Sequence, residues 1–358
     1  MGRRTTMSDI ARRAGVSRVA VSYALNGRPG VSAAVRERIL RIAAETGFNA
    51  SVPAKALHGA AAHAIGLTLS RPTPGLSVEG FRRKLISGVQ AELAGHGFGL
   101  VLQFVTGLDD ELAVHRRWQG ERRVDGVIVC DLHVDDPRPD ALTAMGLPAV
   151  ILAEPASADA EPASGGAGPA YLWADGGVAV EQIVGHLAGL GHTRVVRVGG
   201  PVSLLRSVRL DGAFAAACAR AGIEQTSIAT DRTGDAGAQV TRRVLSSTPR
   251  PTAIVYDDDV MAVAGMGVAR EMGLEVPRDL SLVACDDSPL CQAVRPALTV
   301  LSRDVGAYGG AAVRLLFEGI DGRRPRRVRD RPATLVTRES TGRAPDMISY
   351  TDTIRLIT

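Results

Sequence analysis

The chain has 358 residues, 45% of them hydrophobic and 22% charged, with a formal charge of +4, which describes an ordinary globular protein with room for two moderate cores. Cys130, Cys218, Cys285 and Cys291 form no CxxC pair and no Cys/His cluster. That excludes a disulfide framework or zinc site and reads as reduced thiols of a cytosolic protein. No window of about 18 apolar residues is present, which excludes a membrane helix, and no apolar run follows Arg3 and Arg4, so no secretion signal is expected.

The charge is uneven. The first 61 residues carry ten Lys or Arg against three acids, a local +7, and residues 62–358 sum to −3. A compact cationic segment on a nearly neutral body points to nucleic acid. Three helices are expected within it. Thr6 is a candidate N-cap with Asp9 closing a shortened capping box, and Ile10, Ala11 and Ala14 share one face. Gly15 turns the chain and Val16 plugs the angle. Ser17 caps a second helix that turns Ala20, Val21, Ala24 and Leu25 inward. Ser32 caps a third, with Val35, Ile39, Ile42 and Ala43 at helical spacing and Gly47 at its end. Helix, short glycine-bearing turn, helix is the helix-turn-helix signature. A purely structural three-helix bundle is the competing reading, and the charge and the turn argue against it.

The second helix is the expected reader of a major groove. Arg18, Val19 and Tyr23 face outward. An arginine can bind guanine O6 and N7, a valine can meet a thymine methyl, and a tyrosine hydroxyl can bond a base edge or a phosphate. Ser17, Ser22, Asn26 and Ser32 suit phosphate contacts, which position without carrying sequence information. Residues 49–59 read as a weak helix with Pro53 in its first turn. Leu57 there is either a stray apolar residue of a linker or a wedge between minor-groove base steps.

From residue 63 onward, short apolar runs alternate with helical stretches: strands at 65–69, 99–105, 124–129 and 148–152, with helices at 79–95, 109–119 and 138–145. Residues 155–169, rich in Ala, Gly, Ser and Pro, read as a surface loop or linker. The alternation restarts with helices at 178–190, 206–221, 235–247 and 260–272 and strands at 195–198, 227–230, 253–256 and 280–284. This rhythm implies α/β architecture, with parallel sheets covered on both faces, in two lobes with a cleft between them. The six arginines of 323–331 read as a solvated face, with a second DNA contact as the alternative.

The motifs SDIARRAGVS, VSYALNG, VSAAVRERI and the segment ending at Leu57, followed by LGH (190–192), RLDG (209–212), DDDVMA (257–262) and LVACDDSP (282–289), resemble the LacI/GalR family of bacterial transcription regulators over nearly the whole chain. The resemblance implies a helix-turn-helix headpiece over 1–48, a hinge helix over 49–61 that folds on DNA, and a periplasmic-binding-protein-like core over 62–340. In such a core the chain crosses between lobes three times. Lobe 1 is then expected at about 62–170 and 301–329, lobe 2 at about 171–300 and 330–340, and a tail at 341–358. The resemblance also implies a homodimer or tetramer on a palindromic double-stranded operator, a small-molecule effector in the core, and a minor-groove role for Leu57. No cofactor, metal or membrane is implied. The chain departs from the family pattern at Tyr23, at Ala50-Ser51, and at Ala153-Glu154, where the family often carries Asp.

Ligands in open α/β sheets sit at the carboxyl ends of strands. Asp257, Asp258 and Asp259 follow the strand at 253–256, Asp286 and Asp287 follow the one at 280–284, and Arg209 lies near the start of a helix after Gly199-Gly200. By motif, Arg209 and Asp259 align with the family's effector-contacting Arg and Asp. Tyr171, Trp173 and Asp286 are further candidates for the effector site. The alternative for the aspartates is helix capping. A solute receptor would need a secretion signal and would lack the basic cap. An enzyme is disfavoured because no P-loop, GxSxG or HExxH appears and Gly265-Met266-Gly267 lies within a helix pattern. The expected function is a ligand-responsive DNA-binding regulator, a repressor with a sugar-like effector. A regulator answering to a protein partner, or to no ligand, is the alternative.

Overall fold

The structure is a computed structural model and describes residues 5–25, 29–46, 61–70, 80–155 and 168–345. Met1–Ala62 and His63–Thr358 form two compact units.

The first unit contains α1 (Met7–Ala14), α2 (Arg18–Leu25) and α3 (Ala33–Glu45). The expected capping box starts α1: Asp9 N donates to Thr6 Oγ1 at 3.3 Å and Thr6 N donates to the Asp9 carboxylate at 3.0 Å. Gly15, at φ +64°, ends the helix; this left-handed conformation is where glycine avoids the Cβ penalty. Ile10, Val21 and Ile39 are fully buried, with Ala11, Ala14, Ala24, Ile42 and Ala43 around them. Ala20, expected inward, is half-buried. Helix α3 ends with Thr46 as C-cap, its hydroxyl donating to Ile42 O at 2.7 Å. Gly47, which the sequence places at that end, lies outside the described residues, as do Asn26 and the segment carrying Leu57.

The second unit holds two six-stranded sheets. The first lobe contributes β1 (Ala64–Ser70), β2 (Gly99–Val105), β3 (Gly126–Val129), β4 (Ala149–Ile151), β5 (Ala170–Ala174) and β11 (Arg327–Asp330). They are ordered β11-β5-β4-β3-β1-β2 with every pairing parallel. Strand β1 is buried on both faces because helices cover both sides, which is why it reads as a nearly unbroken apolar run. On one side lie α4 (Gly80–Gly95) and α12 (Val305–Ile320), enclosing Leu85, Val89, Leu93 and Leu316; on the other lie α5 (Leu108–Gly120) and α6 (Arg138–Met145), enclosing Trp118, Val129 and Leu142. Helix α12 sits flush on α4: a Cβ on Gly88 would lie 2.0 Å from Gly306 O, so side chains there are excluded.

The second lobe orders β12-β10-β9-β8-β6-β7. These are β6 (Arg194–Gly199), β7 (Glu224–Ala229), β8 (Ala253–Tyr256), β9 (Ser281–Ala284), β10 (Thr299–Ser302) and β12 (Thr334–Val336), with only β12 antiparallel. Helices α7 (Gly176–Gly189) and α8 (Leu205–Ala221) cover one face, and α9 (Gly234–Leu245), α10 (Asp259–Glu271) and the short α11 (Pro289–Ala293) cover the other. Gly265 has a packing reason: a Cβ there would fall 2.0 Å from the Tyr256 hydroxyl, which bonds Thr241 at 2.8 Å.

Sheet membership moves two boundaries. The sequence divides the lobes at 170/171, yet β5 pairs with β4 and β11, so Tyr171 and Trp173 belong to lobe 1. Because β4 and β5 are neighbours in one sheet, the division between lobes does not fall between them. The second difference is at the tail. Gly342 N donates to Ser281 Oγ at 3.1 Å and Ala344 N to Leu190 O at 2.8 Å. Buried His192, from the LGH motif, contacts Thr252 Oγ1 at 2.8 Å on one nitrogen and Ser281 Oγ and Gly342 O, both at 3.1 Å, on the other. Residues 341–345 are therefore fastened to lobe 2.

Candidate nucleic-acid interface and ligand cleft

In the first unit, α2 turns Arg18 outward, leaves Val19 60% exposed and Tyr23 37% exposed, and buries Val21 and Ala24 behind them. Helical periodicity produces this split, since residues 18, 19 and 23 lie on the arc opposite 21 and 24. The Tyr23 ring lies against Gly30, where a Cβ would sit 3.3 Å from it. Ser17 Oγ accepts from Ala20 N at 3.1 Å, so this hydroxyl caps α2. Ser32 stands at the N-cap of α3 in extended backbone without a side-chain cap bond. It therefore starts the helix as expected while its hydroxyl makes no capping bond. Ser22 is half-buried.

In the second unit, the carboxyl ends of five strands meet a cavity of about 160 Å³ between the lobes. Asp131 follows β3, Glu154 follows β4, Asp175 follows β5, Asp286 and Asp287 follow β9, and Arg303 follows β10. Helix α8 adds Arg206 and Arg209, and Phe81, Trp173 and Tyr308 supply aromatic surface. Three of the five sequence candidates, Arg209, Trp173 and Asp286, thus converge on one space.

Asp259 and Tyr171 are not among its lining residues. Asp259 is buried and accepts a hydrogen bond from Ser288 Oγ. Its neighbours are also engaged within lobe 2. Asp257 accepts from Arg197 Nε at 2.9 Å, Arg197 Nη2 at 2.6 Å and Gly200 N at 2.9 Å. Asp258 caps α10 through Met261 N at 2.9 Å and meets Arg232 at 3.2 Å. Consecutive residues at a strand-to-helix turn point in different directions, so adjacency in sequence does not place three carboxylates in one site. Tyr171 packs with Met145 and Ala153 beneath the sheet, its ring 5.8 Å from the Arg327 guanidinium. Trp173 lies on the same face but nearer the carboxyl end of β5, where the cavity opens.

Each carboxylate bordering the cavity already has a guanidinium. Arg82 meets Asp131 at 2.7 Å, Arg209 meets Glu154 at 2.9 Å, Arg338 meets Asp287 at 2.9 Å, Arg232 lies 3.8 Å from Asp286, and Arg329 pairs with Asp175. Burial pushes the Asp131 carboxyl up, but Arg82, with Arg232 and Arg206 beyond it, outweighs this and holds it below the ordinary range. At Asp286 burial wins over Arg206, Arg232 and Arg303, and the carboxyl is raised. The Cys285 thiol is pushed up to about 12, mainly by burial, and stays protonated.

Several contacts link the lobes at this edge. Arg209 donates to Glu154 O and Pro155 O, both at 2.9 Å. Leu205 N donates to Leu132 O at 2.8 Å and Val134 N to Ser203 O at 2.9 Å, and Lys84 Nζ reaches Asp287 O at 2.9 Å. A buried cluster supports the loop that makes them. Arg138 donates to Asp136 at 2.6 Å, Glu111 at 2.8 Å, Cys130 O at 3.1 Å and Asp131 O at 2.7 Å, clamping the end of β3. Burial raises Glu111 even with Arg138 beside it, and it lowers His115, with a further push from Arg138, to about 4.

Sequence reasoning missed Arg206, Arg303, Phe81 and Tyr308. Arg303 was open to the strand-end rule that found Asp286, but the run at 299–302 was not read as a strand. Phe81 and Tyr308 lie near helix starts facing the cleft, a position that apolar periodicity does not separate from core.

The pattern described as bacterial regulatory proteins of the lacI family matches residues 6–51, and that of a periplasmic binding protein-like domain matches residues 184–341. The HTH-type transcriptional regulator CelR of Thermobifida fusca is 31% identical over 327 residues, covering 89% of this chain and 93% of CelR. The solved CelR–cellobiose complex aligns with a TM-score of 0.70 at 28% identity, over 94% of this chain and 100% of that one. The lac repressor dimer bound to operator and the anti-inducer ONPF aligns with a TM-score of 0.81 at 24% identity, over 95% and 100% of the two chains, a likeness of fold. Among the described residues no helix is long and apolar enough to cross a membrane.

Proposed function

The chain belongs to the LacI family of bacterial transcription regulators, and from that premise we propose that it is a ligand-responsive repressor that binds a palindromic operator as a homodimer. The observation that carries this reading is the pairing of an outward Arg18, Val19 and Tyr23 face on a cationic cap with an interlobe cavity where Arg209, Trp173 and Asp286 converge. Two such caps would read two half-sites whose spacing the dimer sets. Arg18 reads a guanine, Val19 a thymine methyl, and Tyr23 a base edge or phosphate. Ser17, Ser22, Asn26 and Ser32 hold the backbone. Leu57 wedges into the minor groove as the hinge folds.

The effector is a small sugar or related metabolite, a class supported by the relative solved with cellobiose. It enters beside Arg209, whose present partners Glu154 and Pro155 belong to the opposite lobe. Exchanging those partners for ligand changes how the lobes are tied together. A difference of roughly 1–3 kcal/mol between the two arrangements suffices for useful coupling to DNA affinity.

The test uses operator DNA selected from a random pool and release by a metabolite panel. Arg209→Ala is expected to remove the response to the releasing metabolite. A normal response in that variant moves the effector site elsewhere. An operator complex that ignores every metabolite favours control by a protein partner, or by no ligand.

A further inference from the structure

We propose that the ligand of this cleft carries an acidic group, a carboxylate or a phosphate on a small hydroxylated body, bound by Arg206 and Arg303. The inference rests on the effector reading above. Of the three arginines lining the cavity, only Arg209 touches a carboxylate among the described residues. Arg206 and Arg303 have none within ion-pair distance among the described residues, although both act on the half-buried Asp286. Asp286 is itself closest to Arg232, which is already paired with Asp258. Asp259 is held by Ser288, and Asp131, Glu154, Asp175 and Asp287 are each paired with another arginine.

Arg303 is also held in place. Its guanidinium carbon lies 4.9 Å from the Phe81 ring centroid and 4.5 Å from that of Tyr308. The Tyr308 hydroxyl is tied to Leu172 O at 2.8 Å, which fixes that ring. Both rings lie against the guanidinium, and Arg303 also hydrogen-bonds the Tyr308 side chain. An arginine so held gives up less rotamer freedom in pairing with a carboxylate or phosphate. On the other lobe, the 17-residue α8 starts at Leu205 with no side-chain cap, and Arg206 is in its first turn. The positive end of the helix dipole adds to the field from Arg206. A volume near 160 Å³ fits a single monomer-sized metabolite.

Binding to the full chain is measured by titration calorimetry with matched sets: common pentoses and hexoses, their aldonic and uronic acids, and their phosphate esters. Arg206→Gln and Arg303→Gln are titrated in parallel, with melting curves to show that each is folded. Arg206 is exposed, so its variant keeps the test alive if Arg303→Gln unfolds. An acidic member is expected to bind at least about tenfold more tightly than its neutral parent, and each variant to remove at least about tenfold of that preference. Preference for the acid over the ester, or the reverse, identifies the source of the charge. Neutral sugars that bind better than their acids, or an acid whose affinity ignores both substitutions, overturn the proposal. If such a neutral ligand is lost in Arg209→Ala, the effector reading stands without its acidic class. No binding by any member overturns both.

Discussion

The cap and the cleft use arginine in opposite ways. On α2, Arg18 stands in solvent beside exposed Val19 and Tyr23. In the cleft, Arg82, Arg209, Arg232 and Arg338 already hold carboxylates of the same chain. A surface reader gains its contacts outright, less screening and desolvation. If Arg209 contacts the effector as proposed, it must first surrender Glu154, so its contribution to ligand binding is a difference between two paired states. That difference is what allows binding to change lobe geometry, whereas contacts on α2 can only change affinity.

The sharpest way to break this comparison is to show that the cleft's internal pairs are dispensable. Arg138→Ala leaves Glu111 and Asp136 buried without their cation and frees the end of β3. A loss of about 3–5 kcal/mol is expected in chemical denaturation, because an uncompensated buried charge costs more than the pair contributes. A loss within experimental error would make the cluster incidental.

The same cluster sets a pH dependence. His115 titrates near 6.5 when unfolded but is lowered to about 4 in the fold by burial and Arg138. Between those values the unfolded chain binds the extra proton, so stability falls as pH falls. From pH 7 to pH 5 this amounts to about 2 kcal/mol, taking about 1.4 kcal/mol per pKa unit. Glu111, raised by burial, acts with the opposite sign. The quantity to measure is therefore the change in the gap between wild type and His115→Gln over that range. A constant gap would show that the imidazole takes up its proton as readily in the fold as in the unfolded chain.

On the cap, Arg18→Ala is expected to cost about 1–3 kcal/mol at one base pair and to relax preference there. Uniform weakening on all duplexes would make Arg18 a phosphate contact and blur the distinction between reader and positioner. At the small end, Ser32→Ala should weaken binding to every duplex alike, by roughly 0.5–1.5 kcal/mol. A Ser32 effect that varied with base sequence would oppose that role.

Much of this was legible in sequence where one period dominates. The capping box at Thr6, the turn at Gly15, the strands at 99–105 and 253–256 and the helix at 138–145 follow from periodicity and punctuation. Strands β5, β10, β11 and β12 were not: they are short, and at β5 an Ala/Gly-rich approach disguised a strand of the first sheet. The cleft was legible by type and not by membership. Strand ends pointed to Asp286, but only backbone direction separates Asp259, turned to Ser288, from residues that reach the cavity. Pairing was invisible altogether, since Arg197–Asp257 and Arg138–Glu111 join residues 60 and 27 positions apart.

One titration bears most directly on the account: affinity of the full chain for a selected inverted-repeat duplex, across salt concentrations, with and without the metabolite that releases it. The expected result is a steep fall in affinity with salt, a clear preference for the repeat over scrambled DNA, and a metabolite shift that Arg209→Ala abolishes. Equal affinity for repeat and scrambled duplexes would contradict it.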